Sequence, residues 1–174
     1  MKKWILGLVC VIAIAAVAGG IGWYFVKDYR VVEVTGEGMV PTLEAGDYIL
    51  CDTSVTSYER YDLVIVQSDY DGGGLYAERI IGLPGETVRI EEGIIYINEE
   101  PLDDPYYYEA DFNGYDAWYG VTLGENEYFV LGDNRNNSAD SRLTEFGSVS
   151  LSDIEGKIIF RLWPMDGIGS MKNQ

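Results

Sequence analysis

The sequence predicts a mostly β domain preceded by one N-terminal transmembrane helix. Three observations carry that expectation. Residues 4–26, "WILGLVCVIAIAAVAGGIGWYFV", contain no charge, and a helix of that length crosses a hydrocarbon core of about 30 Å. From residue 31 the apolar residues come instead in short runs rich in β-branched and aromatic side chains, the composition of strands. The chain also has 21 glycines, which suits many tight turns.

Trp4, Trp23 and Tyr24 lie near the two ends of the apolar segment, where interfacial aromatics belong. Lys2 and Lys3 precede it, so the positive-inside rule puts the N-terminus in the cytoplasm. Lys27 and Arg30 on the far flank oppose that orientation, with Asp28 between them. The competing reading is a cleaved signal peptide, since "AVA" at 16–18 resembles a small-residue cleavage site. The apolar run nevertheless continues through Ile21 and Phe25, which a discarded signal does not need. The expected organisation is therefore a cytoplasmic tip and single-pass anchor over 1–30 and one extracytoplasmic β domain over 31–174, in the cell membrane. That leaves about 145 residues, an ordinary size for one core.

In order, the expected strands are "VVEV" (31–34), "YILC" (48–51), "DLVIVQ" (62–67), "LYAERIIGL" (75–83), "TVRIEEGIIYI" (87–97), "EYFVLG" (127–132) and "KIIFRLW" (157–163). "EEG" at 91–93 divides the fifth run and reads as a hairpin turn with Gly93 at the positive-φ position. "DYDGGG" (69–74) reads as a hairpin tip, because its oxygen ligands do not continue at EF-hand spacing. Residues 102–120, "LDDPYYYEADFNGYDAWYG", read as a long loop or hairpin whose rings cover the sheet. The alternative makes Tyr106, Tyr107, Tyr108, Tyr115, Trp118 and Tyr119 contact residues for a partner.

Charge and residue usage exclude several functions. Lys2, Lys3, Lys27 and Arg30 against Asp28 give residues 1–30 a formal +3, so the rest carries −20 to reach the total of −17. So acidic a domain repels nucleic acid and anionic headgroups. The two cysteines are Cys10, inside the apolar segment, and Cys51, so no disulfide framework is expected. With no histidine and no metal-ligand spacing, zinc sites, Ser-His triads and Cys-His pairs are excluded, and no cofactor is expected.

Three stretches occur in a fixed order: "GEGMVPTLEAGD" (36–47), "ERIIGLPGETVRI" (78–90) and "GDNRNNSADSR" (132–142), followed by "EFG" (145–147) and "GKIIFRLWP" (156–164). This ordered set resembles the bacterial signal peptidase I family, of the short, single-span type. The resemblance runs from the anchor to Pro164, and "GDNRNNSADSR" is its most specific part. It implies a signal-peptidase-like β domain and a membrane-anchored Ser/Lys endopeptidase that removes signal peptides from exported preproteins. In such a dyad a serine hydroxyl attacks, and a lysine serves as base only if burial leaves it neutral. A backbone amide beside the nucleophile holds the oxyanion.

On that resemblance the nucleophile belongs immediately before Met39, where this chain has Gly38, and the general base immediately before Arg79, where it has Glu78. Both dyad positions are substituted. The surrounding pattern is present: Met39, Pro41, Thr42 and Leu43 match the first loop, and Gly82, Pro84 and Gly85 match the turn after the base strand. Asp133, Asn134, Arg135, Ser138, Asp140, Ser141 and Arg142 match the last motif. In active relatives the serine at the Ser138 position helps orient the lysine. A side chain that completes the oxyanion hole in some relatives falls at Gly36.

After the anchor the only lysines are Lys157 and Lys172, and neither is expected at the cleft. Glu78 could activate a water held above Gly38 if burial raised its pKa; otherwise it pairs with Arg79 or Arg142 or points to solvent. Asp133, Arg135, Asp140 and Arg142 suit buried bidentate pairing that braces loops. Met39, Val40, Leu43, Ile80 and Ile81 are either core or an apolar surface facing lipid and an extended peptide. A peptide laid along the strands needs no nucleophile. The expected function is therefore a catalytically inactive relative that binds exported proteins or their signal peptides as a chaperone or assembly factor. Some signal-peptidase-like proteins encoded beside pilus genes are an analogy at family level. The alternative is an active signal peptidase using other residues.

Overall fold

Strand β3 (Leu63–Ser68) sits at the centre of the larger sheet, and its sequence, LVIVQS, says why. Four successive apolar residues, all buried, cannot alternate between core and solvent, so both faces are covered. The computed structural model describes residues 27–106 and 113–171. Among these there are twelve strands, four short 3₁₀ turns and no α-helix. The expected transmembrane helix falls in residues 1–26, outside the described residues. Among those described, no helix is long and apolar enough to cross a membrane.

The strands form two antiparallel sheets. The larger is ordered β1 (Tyr29–Glu33), β2 (Tyr48–Asp52), β11 (Ile154–Trp163), β3, β4 (Gly74–Gly82), β9 (Glu127–Leu131) and β10 (Val149–Ser150), with β12 (Gly169–Ser170) beside β11. The smaller is ordered β7 (Glu100–Pro101), β6 (Ile94–Ile97), β5 (Thr87–Glu91) and β8 (Val121–Thr122). The seven expected runs become β1 to β6, β9 and β11. The fifth divides at its turn, where both Glu92 (φ 49°) and Gly93 (φ 76°) take positive φ, the geometry of a two-residue hairpin that matches strand twist. Four two-residue strands were not expected, being too short to show any period.

Residues 69–74 do form the tip of the β3–β4 hairpin. The 102–120 segment is corrected in part. Residues 107–112, with Tyr107 and Tyr108, lie outside the described residues, and Tyr106 covers Arg79, its ring 3.4 Å from the guanidinium carbon. Tyr115, Trp118 and Tyr119 are exposed; Ala117 is what the 3₁₀ turn buries. Alternation within a five-residue turn cannot turn three rings inward while the small residue also faces the core.

Leu43, Ile80 and Ile81 are buried in the core; Met39 is buried there too and also lines the cleft between the 36–38 loop and β4. Met39 and Leu43 pack with Val34, Ile49, Leu63, Ile65 and Ile158. Cys51 joins that cluster as a free thiol, and burial pushes its pKa up to about 11, which makes it inert at neutral pH.

Candidate functional site: a cleft between the 36–38 loop and β4

The three motifs meet in space through buried ion pairs. Arg79 on β4 grips Asp133 with both arms, Nε to Oδ1 at 2.7 Å and Nη2 to Oδ2 at 2.6 Å. Thr42 of the first loop donates to the same carboxylate at 2.5 Å. Arg142 binds Asp140 in the same two-armed way, at 2.8 Å for each bond. Arg135 donates through Nε to the Gly132 carbonyl at 2.9 Å, and its Nη2 lies 2.7 Å from Asp104. The side chains of Arg79, Asp133, Asp140, Arg135 and Arg142 are almost wholly buried. Charges taken so far from water are stable only when paired and fully hydrogen-bonded.

Backbone bonds add to this frame. The Asn134 amide donates to the Gly38 carbonyl at 2.9 Å, and its side chain to the Glu37 carbonyl at 2.9 Å. The Val130 amide donates to Ser141 Oγ at 3.0 Å. A Cβ on Gly132 would sit 2.5 Å from the Gly38 carbonyl oxygen, so only glycine allows these two loops to approach so closely. Val40 and Pro41 are joined by a cis peptide, with Pro41 exposed at the loop edge and Gly36 in open space.

Against this frame lies a cleft of about 530 Å³. One wall is residues 32–39, from the end of β1 through Gly36, Gly38 and Met39; the other is Leu75 to Glu78 on β4, with Asn137, Ser138 and Ala139 closing it. Gly38 faces Ser138: a Cβ at Gly38 would stand 3.2 Å from Ser138 Cβ. The Ser138 hydroxyl is already engaged, donating to Asp140 at 2.5 Å and accepting from Arg142 at 3.1 Å.

Glu78 lines the cleft with only 2% of its surface exposed, which overturns the solvent-facing reading. The expected pairing with Arg79 or Arg142 is also overturned, because those guanidinium groups hold Asp133 and Asp140. Glu78 Oε2 is buried with no hydrogen-bond partner. Burial pushes its carboxyl well above the usual carboxylate range; Asp140 and Asp133 push it further, while Arg142 and Arg135 pull part of the way back. Burial therefore favours the protonated form of Glu78. Lys157 lies away from the cleft, its ammonium 2.5 Å from Asp62, and Lys172 is outside the described residues. Among the described residues no group of side chains could hold a metal ion.

Sequence reasoning missed Glu33, Glu37 and Leu75 as cleft residues and Asp104 as the partner of Arg135. The excess of acid in the domain was the available signal for the two glutamates. Nothing in the sequence connects Asp104 to Arg135.

A mostly β domain whose glycine loop and β4 carboxyl flank a peptide-sized cleft is thus a peptidase-like scaffold with unusual groups at its centre. The chain belongs to the signal peptidase, peptidase S26 family, whose model matches residues 1–163. It is 34% identical to signal peptidase I S of Bacillus subtilis, across 95% of this chain and 92% of the relative. It is 32% identical to signal peptidase I of Streptococcus pneumoniae, across 80% of this chain and 84% of the relative. A crystal structure of a signal peptidase I from Enterococcus faecalis is 36% identical, covering 59% of this chain and 97% of its own, with a TM-score of 0.49.

Proposed function

We propose that this chain is a signal-peptidase-like membrane protein that holds extended segments of exported proteins without cutting them, as a chaperone or assembly factor, for example for pilus proteins. One observation carries the reading: the cleft presents Gly38 and the buried carboxyl of Glu78 at the positions where the family resemblance puts a nucleophile and an amine base. Acyl transfer needs an attacking oxygen and a base to take its proton. Without a nucleophile, residual catalysis on the order of a thousandfold over water is far below a working protease.

The retained cleft suits a strand-shaped ligand. β9 pairs β4 only from Arg79 to Gly82, so among the described residues the stretch 75–78 has β3 on one side and no strand on the other. An open edge of this kind accepts an added strand through backbone bonds. The apolar run 4–26 supports a single-pass anchor with a cytoplasmic N-terminus and the domain 31–174 outside. Tyr29 and Val31 on β1, close in sequence to that anchor, are exposed, as are Tyr48 on β2, Trp163 at the end of β11 and Met165 in the 3₁₀ turn after it; these side chains supply apolar surface for the bilayer.

A second reading has one observation in its favour: Glu78 lines the same cleft as Gly38, where a carboxylate could act as general base to a water. Its raised pKa favours the acid, the wrong form for that role, so cleavage by this route would rise with pH. The test is to incubate the purified full chain in detergent with a preprotein across a pH series. We expect intact preprotein throughout. Protease-like cleavage by the unmodified chain would end the non-catalytic reading, and loss of that cleavage in Glu78→Gln would assign the activity to Glu78.

A further inference from the structure

We propose that the cleft recognises a lysine side chain of an extended peptide, with Glu78 as the residue that pairs with its ammonium group. The inference rests on the peptide-binding reading above and specifies what that peptide carries. Glu78 Oε2 is buried, without a partner, and lines a cleft large enough for side chains. Leaving a buried polar atom unmatched costs about 1–3 kcal/mol, so a chain that keeps one in its binding cleft gains when a ligand satisfies it. Every cation among the described residues already pairs with a carboxylate other than Glu78. The charges lining the cleft itself are Glu33, Glu37 and Glu78, with no lysine or arginine. The missing positive charge is therefore one the ligand brings.

The geometry favours a lysine over a larger cation. The cleft that Glu78 lines is also lined by Val32, Val34, Ile65 and Ala77, apolar side chains that suit the methylenes of a lysine with its charge at the tip. Glu78 is faced by Asp140 and Arg142, which pair with each other, by Asp133, which pairs with Arg79, by Arg135, which pairs with Asp104, and by Tyr76 from its own strand. These paired charges largely offset one another, so they neither supply nor repel the ammonium. Pairing with the ammonium favours the carboxylate form of Glu78, and any proton it gives up goes to solvent.

The experiment uses the full chain in detergent and two fluorescein-labelled, extended decapeptides that differ only at a central position, lysine or norleucine. Anisotropy titrations should give the lysine peptide an affinity roughly tenfold higher or more, the scale of one charge-assisted hydrogen bond. Glu78→Gln should erase the preference while still binding the norleucine peptide, and Glu125→Gln, on the exposed surface, should keep it. Equal binding of the two peptides, or a preference that survives in Glu78→Gln, would each overturn the lysine assignment while leaving peptide binding intact. If neither peptide binds, the peptide-binding reading fails and this one with it.

Discussion

Glu78 and Arg79 are neighbours on β4, both are buried, and they are treated oppositely. Arg79 has Asp133 on two arms, the Tyr61 carbonyl at 3.0 Å and the Tyr106 ring over its face. Glu78 Oε2 has no hydrogen-bond partner. Successive residues of a strand point to opposite sides, so one step along the backbone separates a charge whose every need is met inside the protein from one left open towards a cleft. The first arrangement describes a group that the fold requires. The second describes a group whose complement is supplied from elsewhere.

The largest effect should follow from breaking the satisfied side. Asp133→Ala strands the buried Arg79 guanidinium without its carboxylate and also removes the acceptor of Thr42. Loss of one member of a buried pair costs about 3–5 kcal/mol, and urea denaturation of the full chain in mild detergent should read it. The double change Arg79→Met with Asp133→Leu should recover most of that loss, because no charge then remains uncompensated. A cost for Asp133→Ala below about 1 kcal/mol would mean that the pair is not buried as tightly as its geometry states.

How much of this was legible in the sequence depends on distance along the chain. The β5–β6 hairpin was readable because "EEG" marks its own turn. The strand pair 78–79 was partly readable too: alternation alone makes Glu78 a poor partner for Arg79, and that inference was open without coordinates. Whether Arg142 reaches Glu78 was not readable, since it depends on how the loop after β9 folds back and gives Arg142 to Asp140, two residues earlier. Ordered motifs located the first loop, β4 and the 132–142 loop. That Thr42, Arg79 and Asp133 form one buried unit required all three in space. The aromatic 102–120 segment misled because ring content marks burial only on average, and a short 3₁₀ turn sets its own directions.

A smaller effect should come from the seam between the two regions. Gly132 touches both, with its missing Cβ directed at the Gly38 carbonyl and at Ser138. Gly132→Ala forces the 36–38 loop away from the 132–142 loop, and overpacking of this kind costs about 1–3 kcal/mol. The same displacement should widen the cleft and weaken binding of an extended peptide by more than the change in stability at the assay temperature would account for. Unchanged peptide affinity with reduced stability would show that the seam serves the fold alone.

The smallest effect in acid, and the most diagnostic with rising pH, belongs to the unsatisfied side. Glu78 has its folded pKa raised by burial and by Asp140, so the folded state holds its proton at pH values where the unfolded chain has lost it. The stability this contributes is complete below the ordinary carboxylate range and declines as pH rises towards the folded pKa, because each step up removes a proton more easily from the unfolded chain. Glu78→Gln cannot ionise, so it should match the parent at low pH and become progressively more stable than it as pH increases. Thermal unfolding of both chains over one pH series reads the difference directly. Parallel curves would mean that Glu78 is already ionised in the fold with an internal partner, and the contrast with Arg79 would then disappear.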